Sequence, residues 1–298
     1  MKNILLNSVY IFITLFMIII MICKIHQYKN EKLSKIKLKN IFPEKIKNNV
    51  LITMKEYNVI FCGTVRNADK YIKNTLENID QCGSKFNDYS VIIYENDSGD
   101  NTRTILNENM KSNYHYIFEN NINDHRRTMR IANGRNKILK KIQELNVDNY
   151  YDYMIMLDMD DVNASGKFIE SINTCFEYNP NQWSVLTGNQ AGLYYDLWAL
   201  RKKYDMEFDC WKEVIYNNRI LPYFHVTNTN IIYPQEILLE VDSAFGGIGI
   251  YKLSDIPNSC NYVGKYDDET EKCEHVEFNE CIKQNGGNIY INGSFLTN

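Results

Sequence analysis

The segment Tyr153-Met-Ile-Met-Leu157 is an apolar run of strand length that stops abruptly at Asp158-Met-Asp160-Asp161. A buried strand that feeds three carboxylates places several negative charges at one edge of a sheet, where desolvation and mutual repulsion both oppose ionisation. A divalent cation relieves that cost. Oxygen ligands alone suit Mg²⁺ or Mn²⁺, ions that commonly bridge one or two carboxylates to a diphosphate. The competing account is structural, with Asp161 or Asn163 capping a helix that begins near Ser165.

The rest of the chain supplies a sheet for this strand. Asn58-Val-Ile-Phe-Cys-Gly-Thr-Val65 reads as a first strand, followed by a helix from Asp69 to Cys82. Tyr89-Ser-Val-Ile-Ile-Tyr-Glu95 reads as a second strand, ending in the polar turn Asn96-Asp-Ser-Gly-Asp-Asn101. After a further helix and a third strand from Tyr114 to Phe118, Arg127 to Leu145 is helical, with Met129, Ala132, Ile138 and Ile142 on one apolar stripe. The order βαβαβαβ predicts an α/β fold with a mostly parallel sheet flanked by helices and right-handed crossovers. Such sheets bind ligands outside the carboxyl ends of their strands. Both polar clusters, 95–100 and 158–161, fall on that edge. Beyond Trp183 the pattern is less regular and more aromatic.

Ile4 to Cys23 is apolar and uncharged between Lys2 and Lys24, and roughly 20 such residues cross a bilayer. With no small-residue cleavage site, the run predicts an uncleaved, single-pass signal-anchor helix over 1–23. A Lys-rich stem over 24–54 follows, and then the folded domain over 55–298, divided into halves at 55–162 and 163–298. Positive charge after the span predicts a cytosolic domain. The net charge of −4 offers no basic footprint for nucleic acid. Among the eight cysteines no CxxC pair occurs. Cys62 falls in a buried strand and reads as a small hydrophobe. Cys260, Cys273 and Cys281 lie close enough in sequence for one disulfide if the domain is luminal. The sequons at Asn96, Asn163 and Asn292 would accept glycans there, although one on Asn96 would obstruct the strand-end site.

Neither a P-loop nor a first-turn GxGxxG loop is present, since Gly246-Gly-Ile-Gly249 falls late in the chain. A metal site coupled to a strand-end pocket remains, which suits a nucleotide-diphosphate sugar whose leaving group needs its charge neutralised. On the helix before the metal strand, Arg130 and Arg135 are five apart and diverge, so Arg135 is the better placed to reach a donor or the acids. Arg126 and Arg127 read as a solvated face. In Glu274-His-Val-Glu-Phe278, which opens a helix to Gln284, the two glutamates share a face. They are either dipole-stabilising acids of the first turn or a catalytic base on an acceptor hydroxyl. His275 is an acceptable Mn²⁺ ligand. Asp97 either turns the chain or accepts a hydrogen bond from a base or ribose. Gly246 and Gly247 permit a close backbone approach or a simple turn. Tyr195 and Trp198 form a sugar platform or part of the core.

Cys62-Gly-Thr-Val-Arg-Asn67, Tyr94-Glu-Asn-Asp-Ser-Gly-Asp-Asn-Thr102 and the Asp-x-Asp strand end resemble the GT-A glycosyltransferases. Arg130-Ile-Ala-Asn-Gly-Arg-Asn136, Tyr195-Asp-Leu-Trp-Ala-Leu-Arg201, Ala244-Phe-Gly-Gly247 and Cys273-Glu-His-Val-Glu-Phe278 narrow the resemblance. They point to the fungal capsule-associated α-1,3-mannosyltransferase family and family-2-like glycosyltransferases. The resemblance implies a membrane-bound hexosyltransferase using Mn²⁺ or Mg²⁺, a nucleotide-diphosphate sugar and a glycan or protein-linked acceptor. Asp158 and Asp160, with His275, would hold the metal. Thr64, Arg66, Asp97, Arg130, Arg135, Asp158, Gly246 and Gly247 would bind the donor, and Glu274 and Glu277 would be catalytic. The family also implies a Golgi or ER lumenal domain, against the charge count, and leaves retention or inversion open. Two other readings use the same acids or the same fold: a nucleotidyltransferase that releases pyrophosphate, and a non-catalytic carbohydrate-binding protein.

Overall fold

The computed structural model describes residues 43–45, 53–203, 206–217, 231–232 and 238–297. The expected anchor over 1–23 and most of the 24–54 stem lie outside the described residues. Among the described residues no helix is long and apolar enough to cross a membrane.

The first half follows the expected alternation: β1 (Asn58–Val65), α1 (Ile72–Gly83), β2 (Asp88–Asn96), α2 (Thr102–Glu108), β3 (Tyr114–Glu119), α3 (Arg127–Leu145) and β4 (Tyr153–Leu157). Short helices α4 (Asp161–Ala164) and α5 (Lys167–Ser171) follow, then β5 (Val185–Asn189), β6 (Gly192–Leu193), β7 (Ile231–Ile232), β8 (Leu238–Glu240), β9 (Ile248–Lys252), α6 (Glu274–Gln284) and β10 (Ile289–Leu296). β6 and β7 form a separate antiparallel pair, and the other strands build one eight-stranded sheet in the order β3-β2-β1-β4-β9-β5-β10-β8.

β1 lies parallel to β2 and β4, and β2 parallel to β3. Successive side chains of β1 face opposite sides of the sheet, as the pleat requires. Val59 and Phe61 join a core that includes Ile72, Leu76 and Ile79 of α1. Ile60 and Cys62 join another that includes Ala132, Ile138 and Ile142 of α3 and Phe278 and Ile282 of α6. Burial on both faces explains the near-continuous apolar strands. It also pushes the Cys62 thiol well above its ordinary pKa, as befits a buried hydrophobe.

The second half departs from a mostly parallel sheet. β9 runs antiparallel to both β4 and β5, and β8 antiparallel to β10. The reversal has a direct consequence, because β9 begins where β4 ends: Leu157 pairs with Ile248, and the Asp158 N–H donates to the Gly247 carbonyl at 2.9 Å. The Ala244-Phe-Gly-Gly247 loop thereby meets the acid cluster. Of the three cysteines near the C-terminus, Cys260 and Cys281 form a disulfide and Cys273 is a buried thiol.

Candidate active site

A cavity of about 550 Å³ opens along the carboxyl ends of the central strands. Its wall runs from Asn96 after β2, through Thr64, Val65, Arg66, Asn67 and Ala68 at the end of β1, to Asp158, Met159 and Asp160 after β4. It continues to Phe245 before β9 and to Tyr195, Asp196 and Trp198 beyond β5. α3 contributes Arg127, Arg130, Ile131 and Arg135, and the start of α6 contributes Cys273, Glu274 and His275.

Arg135 joins the helices to the sheet. Its side chain is only 3% exposed. Nη2 donates to Asp158 Oδ1 at 3.3 Å, and Nη1 pairs with Glu274 Oε1 and contacts His275 Nε2. The guanidinium also lies over the Phe245 ring, 5.0 Å from its centroid, and 5.6 Å from that of Tyr262. Burial and the Arg135 charge hold His275 well below its ordinary pKa. It is therefore neutral, and Nε2 can only accept from a guanidinium that has no acceptor of its own.

Asp158 keeps 31% of its side chain exposed to the cavity. Desolvation raises its pKa to about 8, and the neighbouring Asp160 and Asp196 charges add to the rise while Arg135 and Arg127 oppose it. Asp160 is raised too, mainly by burial. Its Oδ1 accepts from the Val162 N–H at 3.3 Å, so Asp160 itself caps α4, in place of Asp161 or Asn163. The buried Asn163 instead ties the carbonyls of Asp158 and Gly247 together, at 2.8 Å each.

These acids fit a small hard cation in their chemistry: oxygen donors, poorly neutralised, beside a cavity. Among the described residues, however, no three Asp, Glu, His or Cys side chains are grouped so that they could hold a metal by themselves. His275 does not group with Asp158 and Asp160 here, its Nε2 being turned onto Arg135. The fit is to a pair of carboxylates completed by a ligand's own oxygens.

Several expected site residues sit elsewhere. Thr64, Arg66, Arg130, Arg135, Asp158, Asp160, Glu274 and His275 all border the cavity. Glu277 does not; it faces Lys272, with Nζ 2.5 Å from Oε2. The cavity meets α6 end-on, so neighbours at its N-terminus reach it and a shared helical face does not matter. Asp97 is also off the wall, its carboxylate accepting from the Asn121 and Ile122 N–H groups at 2.7 and 3.1 Å. Gly246 and Gly247 adopt φ of 65° and 85°, and protein rather than ligand demands it. A Cβ on Gly246 would strike the Gly188 carbonyl, and one on Gly247 would lie 2.5 Å from Val162 Cγ1.

Arg127, Asp196 and Trp211 are among the cavity residues that the sequence did not assign. Arg127, read as a solvated face, lines the wall. Asp196 is half-buried at the cavity and accepts from the Gly246 N–H at 3.0 Å, holding the glycine loop. Trp211 had no motif to announce it. The three sequon asparagines are all buried, and the Asn292 side-chain nitrogen donates to Thr174 Oγ1 and Cys175 Sγ. A glycan on Asn163 or Asn292 is incompatible with this fold, and one on Asn96 would obstruct the cavity it lines.

Residues 58–284 match the family described as Cryptococcal mannosyltransferase 1. No curated protein matches the sequence. Among solved structures, Staphylococcus aureus TarS 1–349 is 15% identical with a TM-score of 0.42, over 78% of this chain and 57% of that one. The mannosyltransferase PcManGT from Pyrobaculum calidifontis, solved with GDP-Man and Mn²⁺, is 11% identical with a TM-score of 0.46, over 90% and 64% respectively. Glucosyl-3-phosphoglycerate synthase from Mycobacterium tuberculosis, solved with uridine diphosphate, is 8% identical with a TM-score of 0.40, over 80% and 69%. The chain thus spans less than two thirds of TarS 1–349 and of PcManGT.

Proposed function

Because the chain belongs to the cryptococcal mannosyltransferase 1 family, a family of glycosyltransferases, we propose that it moves a hexose from a nucleotide-diphosphate sugar to a hydroxyl of a glycan or other acceptor. One observation carries the reading beyond the family. Four arginines, Arg66, Arg127, Arg130 and Arg135, share a strand-end cavity with the carboxylates Asp158 and Asp160. Arginines suit the phosphate oxygens of a donor, while the acids would be unfavourable neighbours for a diphosphate without a cation between them. Asp158 and Asp160 would hold Mn²⁺ or Mg²⁺, which supplies Lewis-acid stabilisation of the departing diphosphate.

In this reading Arg66, at the β1 end, and Arg127 and Arg130, on the first turn of α3, bind and orient the diphosphate. Arg135 sets the Asp158 carboxylate. Of the two candidate bases only Glu274 borders the cavity, and its Oε1 is held by Arg135. The test is a panel of nucleotide sugars with Mn²⁺, scored for the nucleotide released. A nucleoside diphosphate supports glycosyl transfer, whereas pyrophosphate identifies a nucleotidyltransferase instead.

The same proposal takes 1–23 as a membrane anchor, 24–54 as a stem and 55–298 as the catalytic domain. The Cys260–Cys281 disulfide supports an oxidising, luminal side for that domain.

A further inference from the structure

The cavity is divided by chemistry. Its four arginines are Arg66, just after β1, and three residues of α3, which packs on β1 and β2. Beyond Asp158 the wall turns aromatic, with Phe245, Tyr195, Trp198 and Trp211. The sheet order β2-β1-β4-β9-β5 places the strand ends next to Asn96, Arg66, Asp158 and Phe245 in that sequence along one edge, with Tyr195 and Trp198 following β5. In the transfer reading, a diphosphate by Arg66 and Asp158 leaves the polar Asn96 side for the base and the aromatic end for the transferred sugar and its acceptor.

One buried carboxylate holds the Trp198 indole and the turn that carries Trp211. Asp209 Oδ2 accepts from Trp198 Nε1 at 3.3 Å and from the Tyr266 hydroxyl at 2.9 Å. Its Oδ1 accepts from the backbone N–H groups of Trp211 and Lys212, at 3.0 Å each. Arg201 Nη2 lies 3.1 Å from Oδ2, with both side chains of the pair about 5% exposed or less. Asp209 is absent from the cavity wall. A buried ion pair is a poor source of stability compared with apolar residues of the same volume, so its use here fits a positioning role. It holds the Trp198 N–H inside the protein, while the half-buried side chain still borders the cavity.

We propose that Trp198 and Trp211 form the acceptor subsite, taking the apolar face of an uncharged pyranoside, and that Asp209, held by Arg201, positions the Trp198 ring and the turn that carries Trp211. The proposal rests on the glycosyl-transfer reading, and its test separates the two. Binding is measured by calorimetry for wild type, Trp198→Ala, Trp211→Ala and Asp209→Asn. The probes are methyl α-mannopyranoside and mannobiose, each in the presence of Mn²⁺ and GDP, and GDP or UDP alone with Mn²⁺. The expected result is glycoside binding weakened about tenfold or more in each variant, with the nucleotide Kd unchanged within about twofold. Weakened nucleotide binding with intact glycoside binding would make the wall a base-stacking surface and overturn the proposal. So would wild-type protein that binds nucleotide and neither glycoside. Should the variants fail to fold, wild-type emission decides, because the chain has three tryptophans and Trp183 is buried in the core. A glycoside that binds without changing tryptophan emission contradicts the assignment. Wild type that neither binds nor cleaves any nucleotide sugar defeats the transfer reading instead.

Discussion

Arg135 Nη2 stands 3.3 Å from Asp158 Oδ1, so a buried guanidinium on a helix is bonded to the carboxylate at the end of the neighbouring strand. The same guanidinium faces Glu274 and His275 on α6. One residue therefore fixes the relative positions of β4, α3 and α6 around the cavity.

Arg135→Ala leaves Glu274 buried without its partner. Removing one member of a buried pair costs about 3–5 kcal/mol, and chemical denaturation is expected to show a loss of that size. Arg135→Lys restores charge but not the forked geometry, and is expected to recover only part of it. A loss below about 1 kcal/mol would mean that the network contributes little to the fold.

His275 gives a stability change with pH. Its folded pKa is depressed well below 6.5, so on acidification the unfolded chain takes up a proton that the native state refuses. Stability from this group is complete above about pH 6.5 and falls by up to about 1.4 kcal/mol per pH unit below it. Asp158, raised to about 8, works in the opposite sense, binding more protons in the native state between the two carboxyl pKa values. The difference between wild type and His275→Gln isolates the histidine, and that difference is expected to shrink from pH 7 to pH 5. A difference independent of pH would show that His275 is not held neutral.

Gly247→Ala forces a side chain into the left-handed region and against Val162 Cγ1. Destabilisation of about 1–2 kcal/mol or more is expected in thermal unfolding. Because neither glycine borders the cavity, nucleotide affinity of the variant that remains folded is expected to change little.

Cysteine alkylation under native conditions checks the disulfide. Cys260 and Cys281 are expected to resist alkylation even after unfolding, until a reductant is added. Labelling of both on unfolding alone would remove the support for an oxidising compartment.

The strands and the acids were readable because their physics is local. β1 is buried on both faces, so its apolar run is continuous, and β4 ends where its carboxylates begin. The direction of β9 was not readable. Ile248-Gly-Ile-Tyr is as apolar as a parallel strand, and only pairing with β4 and β5 sets its orientation. Helical periodicity also misled at α6: Glu274 and Glu277 share a face, yet the cavity meets the first residues of the helix and Glu277 turns to Lys272. Arg127 was lost in the same way, at the start of α3. The glycines read as a close backbone approach to a sugar or as a simple turn, and what crowds them is the backbone of Gly188 and the side chain of Val162.

The most direct measurement is release of nucleoside diphosphate from a nucleotide-sugar panel, with Mn²⁺ or EDTA, by wild type, Asp158→Asn and Asp160→Asn. Mn²⁺-dependent release by wild type is expected, falling at least about 100-fold in each variant, which corresponds to roughly 3 kcal/mol of lost transition-state stabilisation. Full release in EDTA, or variants as active as wild type, would contradict the role given to the Asp158–Asp160 pair.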